Sequence, residues 1–545
     1  MAATTAREER GAEQVLLGDE AVALAMVHAG GTAAYAYPGT PATEILEYLV
    51  RYAEKHPEFK AFWSANEKSA FEEALGVSMV GRRTLVSMKH VGLNVAADPF
   101  MNSTVVSIHG GLVVAVADDP GMHSSQNEQD SRYYADFARA ICFEPANQQE
   151  AYDMTREAYD ISERFHLPVM LRLVTRLAHS RAVVRTAPPI AQKDVTKAPD
   201  AAGWILLPAN ARRQWKKLLE RQKEVDAWAN GSRFNILTLS RNDKGLGIIT
   251  TGIARNYYLE NLPDLGYTPS HLHIGAYPIP AEKIRDLAAH AERILVIEEG
   301  YPYVERILKG ILATPVPVHG KLDGRLPPDG ELTPDVVRQG LELQSRKGVT
   351  LLDLKLPNRP PQLCPGCPHA DTYTALGKAL SGFERSIVTS DIGCYTQGAL
   401  PPYEAIESCV CMGASVSMAK GAADAGLYPS VGVIGDSTFY HSGVTPLIDA
   451  IAHDTDMTLV ILDNATTAMT GAQPTILPSE KLESFLLGLG VHPQHLKVFE
   501  VHPKKVPELA EVLKGEIEHH GLSVVVAYRE CLEVAKKAKA PGAAS

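Results

Sequence analysis

The chain has 545 residues, 45% of them hydrophobic and 21% charged, and its 64 acidic and 53 basic side chains give a net charge of -11. That length holds about three or four ordinary domains, and that composition belongs to a globular enzyme, not to a disordered or fibrous chain. The basic residues are scattered, which argues against nucleic acid as a partner, and no apolar run approaches the roughly 20 residues that cross a bilayer.

The opening "MAATTAREERGAEQ" mixes acids with bases around no apolar core. It reads as a disordered tail over residues 1–12, not as a signal peptide, and a cytoplasmic location is expected. From 13 to 186, strand and helix patterns alternate. "TAAYAYPGTPATEILEYLV" predicts a strand, a turn and a helix, with Thr40 as N-cap and Pro41 at the first helical position. "TLVSM", "GLVVAVADD" and "PVMLRLVT" predict short strands buried on both faces, the pattern of a parallel sheet. Residues 187–244 are polar. Here "APPIAQKDVTKAPDAAG" has linker composition, and "ARRQWKKLLERQKEVDAW" predicts a charged surface helix. A smaller block, 245–349, is built on "GLGIITTG", "RILVIEEG" and "PVPVHG", and the proline-rich "KLPNRPPQLCPG" marks the next boundary. The third block, 350–533, contributes "SIVTSDIG", "SVGVIGDS", "TLVILDN" and "SVVVAY", and residues 534–545 read as a second disordered tail. The predicted fold class is α/β, three domains with mostly parallel sheets.

In the third block "SVGVIGD", "VTPLIDAIAHD" and "MTLVILDN" make a strand, a helix and a strand. A right-handed crossover places both strands parallel in one sheet, so Asp436 and Asn464 meet at its carboxyl edge. One carboxylate, one amide oxygen and a nearby backbone carbonyl suit Mg2+, which fills its octahedron with water and phosphate oxygens. The reading is a diphosphate held through a metal. Gly435 is expected to allow a sharp turn, and the helix start that follows to favour the anion. Taken alone, "GDS" is more often a turn cap; the second arm, "LDNATTAMTGAQP", makes the pair more specific.

The two-arm pattern resembles the thiamine diphosphate motif, a GD followed about 25 to 30 residues later by Asn. The wider text, "YPGTPATE", "WSANEKSA", "KHVGLNVAADP", "DDPGMHSSQNEQDSR", "CPGCPH", "DIGCYT", "GDSTFYHSG" and "ILDNATTAMTGAQP", looks like the large subunit of indolepyruvate:ferredoxin oxidoreductase, one of the 2-oxoacid:ferredoxin oxidoreductases. The likeness runs from Gly18 to Cys531 in the same order. It implies a thiamine-diphosphate-binding fold, with a pyrimidine domain at 13–186, a transketolase-C-like domain at 245–349 and a diphosphate domain at 350–533. It implies Asp436, Asn464 and the main-chain oxygen of Thr466 as Mg2+ ligands, with Gly435, Ser437 and Met469 beside the cofactor. It places Glu67 of "SANEKSA" next to N1′ of the aminopyrimidine; read on its own, Glu67 is a first-turn acid favoured by the helix dipole. Thr40 looks like the position that meets the substrate carboxylate. His441, with His90 and His123, falls in family-like loops, a candidate for proton transfer or for the wall of a substrate pocket. Cofactors of this type usually lie between a pyrimidine and a diphosphate domain, often of different chains, so the resemblance also implies at least a dimer.

Seven cysteines remain to be placed. Cys364 and Cys367 form a C-x-x-C turn, Cys394 follows at a strand end and Cys531 after the last strand. Four thiolates of one domain suit a 4Fe–4S cluster or a structural Zn2+. In related oxidoreductases this order carries the proximal 4Fe–4S cluster. Cys142, Cys409 and Cys411 read as buried small hydrophobes, the last two on one face of a strand. Large subunits of the family commonly end in a ferredoxin-like domain with two C-x-x-C-x-x-C-x-x-x-C-P runs. Neither run is found here, so electrons are expected to leave through another subunit or directly to an acceptor. The expected reaction is oxidative decarboxylation of an aryl 2-oxo acid, of the indolepyruvate or phenylpyruvate type. Coenzyme A takes the acyl group, ferredoxin or another low-potential carrier takes the electrons, and a smaller second subunit completes the complex. The alternative is a non-redox thiamine diphosphate decarboxylase or carboligase.

Overall fold

Short aliphatic runs build the first sheet: Gly31–Ala36, Lys60–Trp63, Arg83–Lys89, Leu112–Asp118, Ile141–Phe143 and Val169–Val174 are parallel strands. Leu112–Asp118 is buried at every position, as a central strand covered on both faces must be. The computed structural model describes residues 12–242, 244–311, 316–346, 362–409 and 411–539. The chain divides into two units, 1–350 and 351–545. Among the described residues no helix is long and apolar enough to cross a membrane.

The first unit holds a second sheet. Its strands are Ile236–Thr238, Leu246–Thr251, Ser270–Ile274, Arg293–Ile297 and Val318–His319, parallel except for the edge strand Ile236–Thr238. After Ser270–Ile274 the chain changes sheets. Ala276–Tyr277 pairs antiparallel with Ile141–Phe143 and becomes an edge of the first sheet. Asn235 pins this switch: its Nδ2 donates to the Ala229 and Ala276 carbonyls, and its Oδ1 accepts from the Gly275 and Ala276 amides, all within 3.0 Å. A buried ionic network joins the two sheets. Arg172 pairs with Asp118 (2.6 Å) and Glu144 (2.5 Å), and Arg132 reaches Glu298 at 2.9 Å. Neither guanidinium is exposed, so every carboxylate in the network depends on them for compensation.

The second unit is a five-stranded parallel sheet in the order Ile387–Ser390, Ser430–Gly435, Thr458–Asp463, Ser523–Tyr528, Leu496–Glu500. Parallel strands put all their exit loops on one edge, and in each unit that edge gathers the chemistry-bearing residues.

Several expectations are corrected. The helix after "YPGTP" is Thr43–Ala53, with Ala42 and not Thr40 at the N-cap. The residues before it close a turn instead, in which Thr43 Oγ1 accepts from the Gly39 amide (3.1 Å). The charged helix Pro208–Gly231 is not purely superficial: it buries Gln214, Leu218, Val225 and Ala229, and Trp228 meets Phe143 edge-on. "PVPVHG" shrinks to Val318–His319, preceded by Pro317, which has no N–H for a ladder. The C-terminal residues expected as a tail begin as a helix, Leu532–Lys539. The rest of that tail, residues 1–11 of the first and 355–361 of the proline-rich boundary lie outside the described residues.

Candidate active site

Ser430–Gly435 and Thr458–Asp463 are hydrogen-bonded neighbours, with Gly435 opposite Leu462. Asp436 and Asn464 therefore leave the sheet side by side. The Asn464 amide donates to Asp436 Oδ2 at 3.3 Å, and Asp436 Oδ1 accepts from the Ser437 amide at 2.8 Å. Asp436, Asn464 and Thr466 are all buried, at 4%, 7% and 5% exposure. Burial, then the neighbouring carboxylate of Asp463, pushes the Asp436 carboxyl well above its ordinary value. Two buried carboxyls on adjacent strand ends are costly without a cation between or beside them. Ala465, with φ +61°, turns the chain so that Thr466–Thr467 doubles back against Gln473–Pro474. Pro474, opposite Thr466, has no N–H to offer the Thr466 carbonyl. Carboxylate, amide oxygen and carbonyl thus form a hard-donor set suited to Mg2+. Ser437 Oγ bonds Thr467 Oγ1 (2.8 Å), and Met469 stands 59% exposed on the same hairpin.

Gly435 is required for a reason other than the turn. Its φ of -80° and ψ of 156° are open to any residue. A Cβ there, however, would lie 2.4 Å from Tyr395 Cε1. The Tyr395 hydroxyl bonds Asp391, at the end of Ile387–Ser390. Asp391 also accepts from the Gly413 and Ser415 amides (both 3.1 Å) and from Ser415 Oγ (2.5 Å). Burial pushes this carboxyl up to about 6. Past Asp436 the chain is helical through Ala452, interrupted by a wide turn at Phe439–Gly443 that carries buried His441, bonded to Ser442 Oγ at 2.6 Å. Such wide turns often accompany functional sites.

The four cysteines share this edge. Cys364 and Cys367 close a tight turn (2.9 Å, N to O) that needs Gly366 at φ +78°. Arg529 ties the turn to the last strand by donating to the Gly366 carbonyl (2.6 Å) and Asp371 (3.0 Å). The Cys531 amide donates to the Asn464 carbonyl at 3.2 Å. Burial pushes the Cys394 thiol up to about 12, and the charges of Cys367, Cys531, Cys364 and Asp436 add to it. His369, fully buried and pushed down to about 4 by its surroundings, stays neutral, and its Nε2 accepts from Asn464 Nδ2 (3.2 Å). The Thr466 amide, which donates to Asn464 Oδ1 at 3.2 Å, fixes the flip of the Asn464 side-chain amide. Cys142 is buried as expected, but Cys409 and Cys411 are exposed in an irregular loop and are not core residues.

In the first unit, Asn66 caps the helix Glu67–Met79 by accepting from the Ser69 amide (2.9 Å), which sets Glu67 at the first helical position, 5% exposed. Gly92, in the helix His90–Val95, leaves the space that the Glu67 side chain fills: a Cβ would lie 2.6 Å from Oε1 and 2.8 Å from Cγ. Lys89 is held below its ordinary range by burial, against the pull of Asp119 and Glu67. Its Nζ donates to the Ser124 carbonyl (3.1 Å), and its stem lies along Gly39. Ser124 Oγ in turn reaches the Thr40 carbonyl at 3.3 Å. His90 Nε2 contacts the Asn127 carbonyl (3.1 Å), and its Nδ1 is buried without a hydrogen-bond partner among the described residues. His123 is half exposed, 3.5 Å from Glu331.

Known proteins match this chain over nearly its whole length. A family model described as "Pyruvate flavodoxin/ferredoxin oxidoreductase, thiamine diP-bdg" matches residues 24–205, and "Thiamine pyrophosphate enzyme, C-terminal TPP binding domain" matches 391–527. "Indolepyruvate oxidoreductase subunit IorA" of Archaeoglobus fulgidus is 36% identical over 560 residues, spanning 96% of this chain and 87% of that protein. The subunit of the same name from Methanothermobacter marburgensis is 38% identical over 550 residues, with coverage of 96% and 87%. The chain belongs to the IorA family of indolepyruvate oxidoreductase subunits. It is an oxidoreductase subunit of the 2-oxoacid:ferredoxin class. Its fold also resembles a 2-oxoglutarate:ferredoxin oxidoreductase from Magnetococcus marinus, at a TM-score of 0.51 and 16% identity, over 60% of this chain and 65% of that one.

As an IorA-family chain it carries residues that sequence reasoning did not single out. Asp391 follows a strand as Asp436 does, but that strand, Ile387–Ser390, ends on two hydroxyl residues. His369 and Gly92 lie inside the quoted "CPGCPH" and "KHVGLNVAADP", but their partners, Asn464 and Glu67, are distant in sequence.

Proposed function

We propose that this chain is the catalytic subunit of an enzyme that oxidatively decarboxylates an aryl 2-oxo acid of the indolepyruvate or phenylpyruvate type. Coenzyme A accepts the acyl group; the 2-oxoglutarate:ferredoxin oxidoreductase from Magnetococcus marinus is known with 2-oxoglutarate, coenzyme A and succinyl-CoA bound. The 2-oxo acid and the thiol become an acyl-CoA and CO2, with release of two electrons and one proton. The observation that carries the reading is the pair of buried strand ends, Asp436 and Asn464, joined by a hydrogen bond.

When bound, thiamine diphosphate supplies a nucleophilic carbon for the keto group and a sink for the electrons that decarboxylation leaves. Asp436, Asn464 and the Thr466 carbonyl would hold Mg2+ and through it the diphosphate. The donor set fits, because the cation relieves the buried pair Asp436 and Asp463. Ser437 and Met469 would border the cofactor. Glu67, held in the space beside Gly92, would pass a proton to and from N1′ of the aminopyrimidine. Thr40, in the loop that Lys89 and Ser124 buttress, would meet the substrate carboxylate, and His441 would move a proton at the reacting centre.

Cys364, Cys367, Cys394 and Cys531 would hold a 4Fe–4S cluster as the first electron relay. The reaction favours a cluster over zinc: decarboxylation leaves two electrons, which Zn2+, having no redox chemistry, cannot carry. A smaller second subunit, a dimer of this chain and ferredoxin or a similar acceptor complete the assembly, which works in the cytoplasm. The test is an anaerobic assay of the purified complex with indolepyruvate or phenylpyruvate, coenzyme A, thiamine diphosphate and a viologen dye. Dye reduction that requires all of them is expected. Release of an aldehyde without dye reduction overturns the reading.

A further inference from the structure

Away from these sites, three polar side chains converge where three helices of the first unit meet. Asp19 stands at the start of Gly18–His28, Glu44 at the start of Thr43–Ala53, and His179 at the end of Thr175–His179. One ligand atom from each lies within 4.8 Å of the other two. The approach is enforced by the backbone. A Cβ on Gly18 would lie 2.3 Å from the Leu177 carbonyl oxygen, so only glycine lets the first turn of one helix press against the other and bring Asp19 to His179.

Asp19 is 0% exposed, and neither carboxylate oxygen has a hydrogen-bond partner among the described residues. Its neighbour Glu20 is satisfied, accepting from the Leu17 amide at 2.9 Å. Glu44 Oε2 is likewise buried without an aligned donor, although His179 Nε2 approaches it to 3.4 Å. A buried carboxylate with no donor costs several kcal/mol unless a proton or a cation compensates it.

We propose that Asp19, Glu44 and His179 bind a first-row divalent cation of the zinc type. Tetrahedral zinc with ligand bonds of about 2.0–2.1 Å separates its N and O donors by about 3.3–3.4 Å, which matches the Glu44–His179 distance. The side chains of Glu44 and His179 are each 34% exposed, so they can close on the fixed Asp19, and water can enter as the fourth ligand. An imidazole beside two carboxylates favours zinc-type ions over Mg2+ or Ca2+, which take oxygen donors. Such an ion cross-links three helices. One of them, Thr43–Ala53, follows the Thr40 loop, and another begins with Thr175, whose hydroxyl bonds Asp119 at 2.7 Å. The site thus braces the exit-loop edge of the first sheet from behind.

The test is zinc retention after equilibrium dialysis of the full chain against ZnCl2 in excess Mg2+, followed by elemental analysis. The four cysteines can also take zinc, so the readout is the difference between wild type and variants. Wild type should hold about one equivalent more zinc than Asp19→Asn or His179→Gln. Zinc should also raise the melting temperature of wild type more than that of either variant. His179→Gln, at a partly exposed position, keeps the test valid if Asp19→Asn misfolds. Equal zinc content in wild type and His179→Gln, with equal thermal response, overturns the proposal and leaves a proton shared between Asp19 and Glu44.

Discussion

Gly92→Ala separates catalysis from folding. The added methyl would sit 2.6 Å from Glu67 Oε1, 2.8 Å from Cγ and 2.9 Å from Cδ. Ordinary contacts to carbon are about 3.5 Å, so the carboxyl end of Glu67 must retreat by roughly 0.6–0.9 Å. The helix gains about 1 kcal/mol from Ala over Gly and loses about 1–3 kcal/mol to overpacking, so the fold survives with a net cost of about 0–2 kcal/mol. Catalysis is less forgiving: a displacement of about 1 Å at a reacting group costs on the order of 100-fold. Deuterium exchange at C2 of bound thiamine diphosphate reports on the proton transfer proposed for Glu67. Gly92→Ala should slow it about 100-fold, while the melting temperature falls by no more than a few degrees. Gly76→Ala, in the same helix as Glu67 but with nothing within 4 Å of the new Cβ, is the control and should exchange like wild type. Wild-type exchange in folded Gly92→Ala would refute the placement of Glu67.

Further outcomes follow from the same geometry. Gly435→Ala, which the backbone tolerates but Tyr395 does not, should destabilise the second unit by about 1–3 kcal/mol in urea and weaken Mg2+-dependent cofactor binding; unchanged stability contradicts the packing argument. Arg172→Met strips the guanidinium from buried Asp118 and Glu144 and should cost about 3–5 kcal/mol by denaturant titration; a cost under about 1 kcal/mol would mean that the network is not needed for the fold. Glu299 is pushed up to about 7, first by burial. Its folded form keeps a proton that the unfolded chain releases above its ordinary pKa of about 4.5, so stability should fall by on the order of 3 kcal/mol as pH rises to about 7 and then level off. Urea titrations across that range should show the fall in wild type and lose it in Glu299→Gln; the same slope in both assigns it to another group.

Much of the candidate site was legible because parallel sheets have a simple rule. An apolar run that ends in Asp or Asn delivers that side chain to the carboxyl edge, and a crossover helix makes consecutive strands neighbours. Asp436 and Asn464 obey it. Asp391 also leaves a strand end, but its run closes on Thr389 and Ser390, and its partners at Gly413 and Ser415 lie over 20 residues away. The need for glycine at 435 was visible, but its cause was not: the obstacle is a ring 40 residues upstream, and no local dihedral signals it. Thr40 misled because hydroxyl-then-proline is a helix-start signature, whereas here Thr43 supplies the hydroxyl that closes the turn. Cys409 and Cys411 misled because a spacing of two predicts a shared face only on a strand, and this segment is irregular.

The central claim is that two adjacent strand ends hold a diphosphate through a divalent metal. Calorimetric titration of thiamine diphosphate into the anaerobically purified complex, with Mg2+ or with EDTA, tests it most directly. Saturable binding in Mg2+, lost in EDTA and in both Asp436→Asn and Asn464→Ala, is the predicted result. Binding of equal affinity in EDTA, or in folded Asp436→Asn, would contradict it.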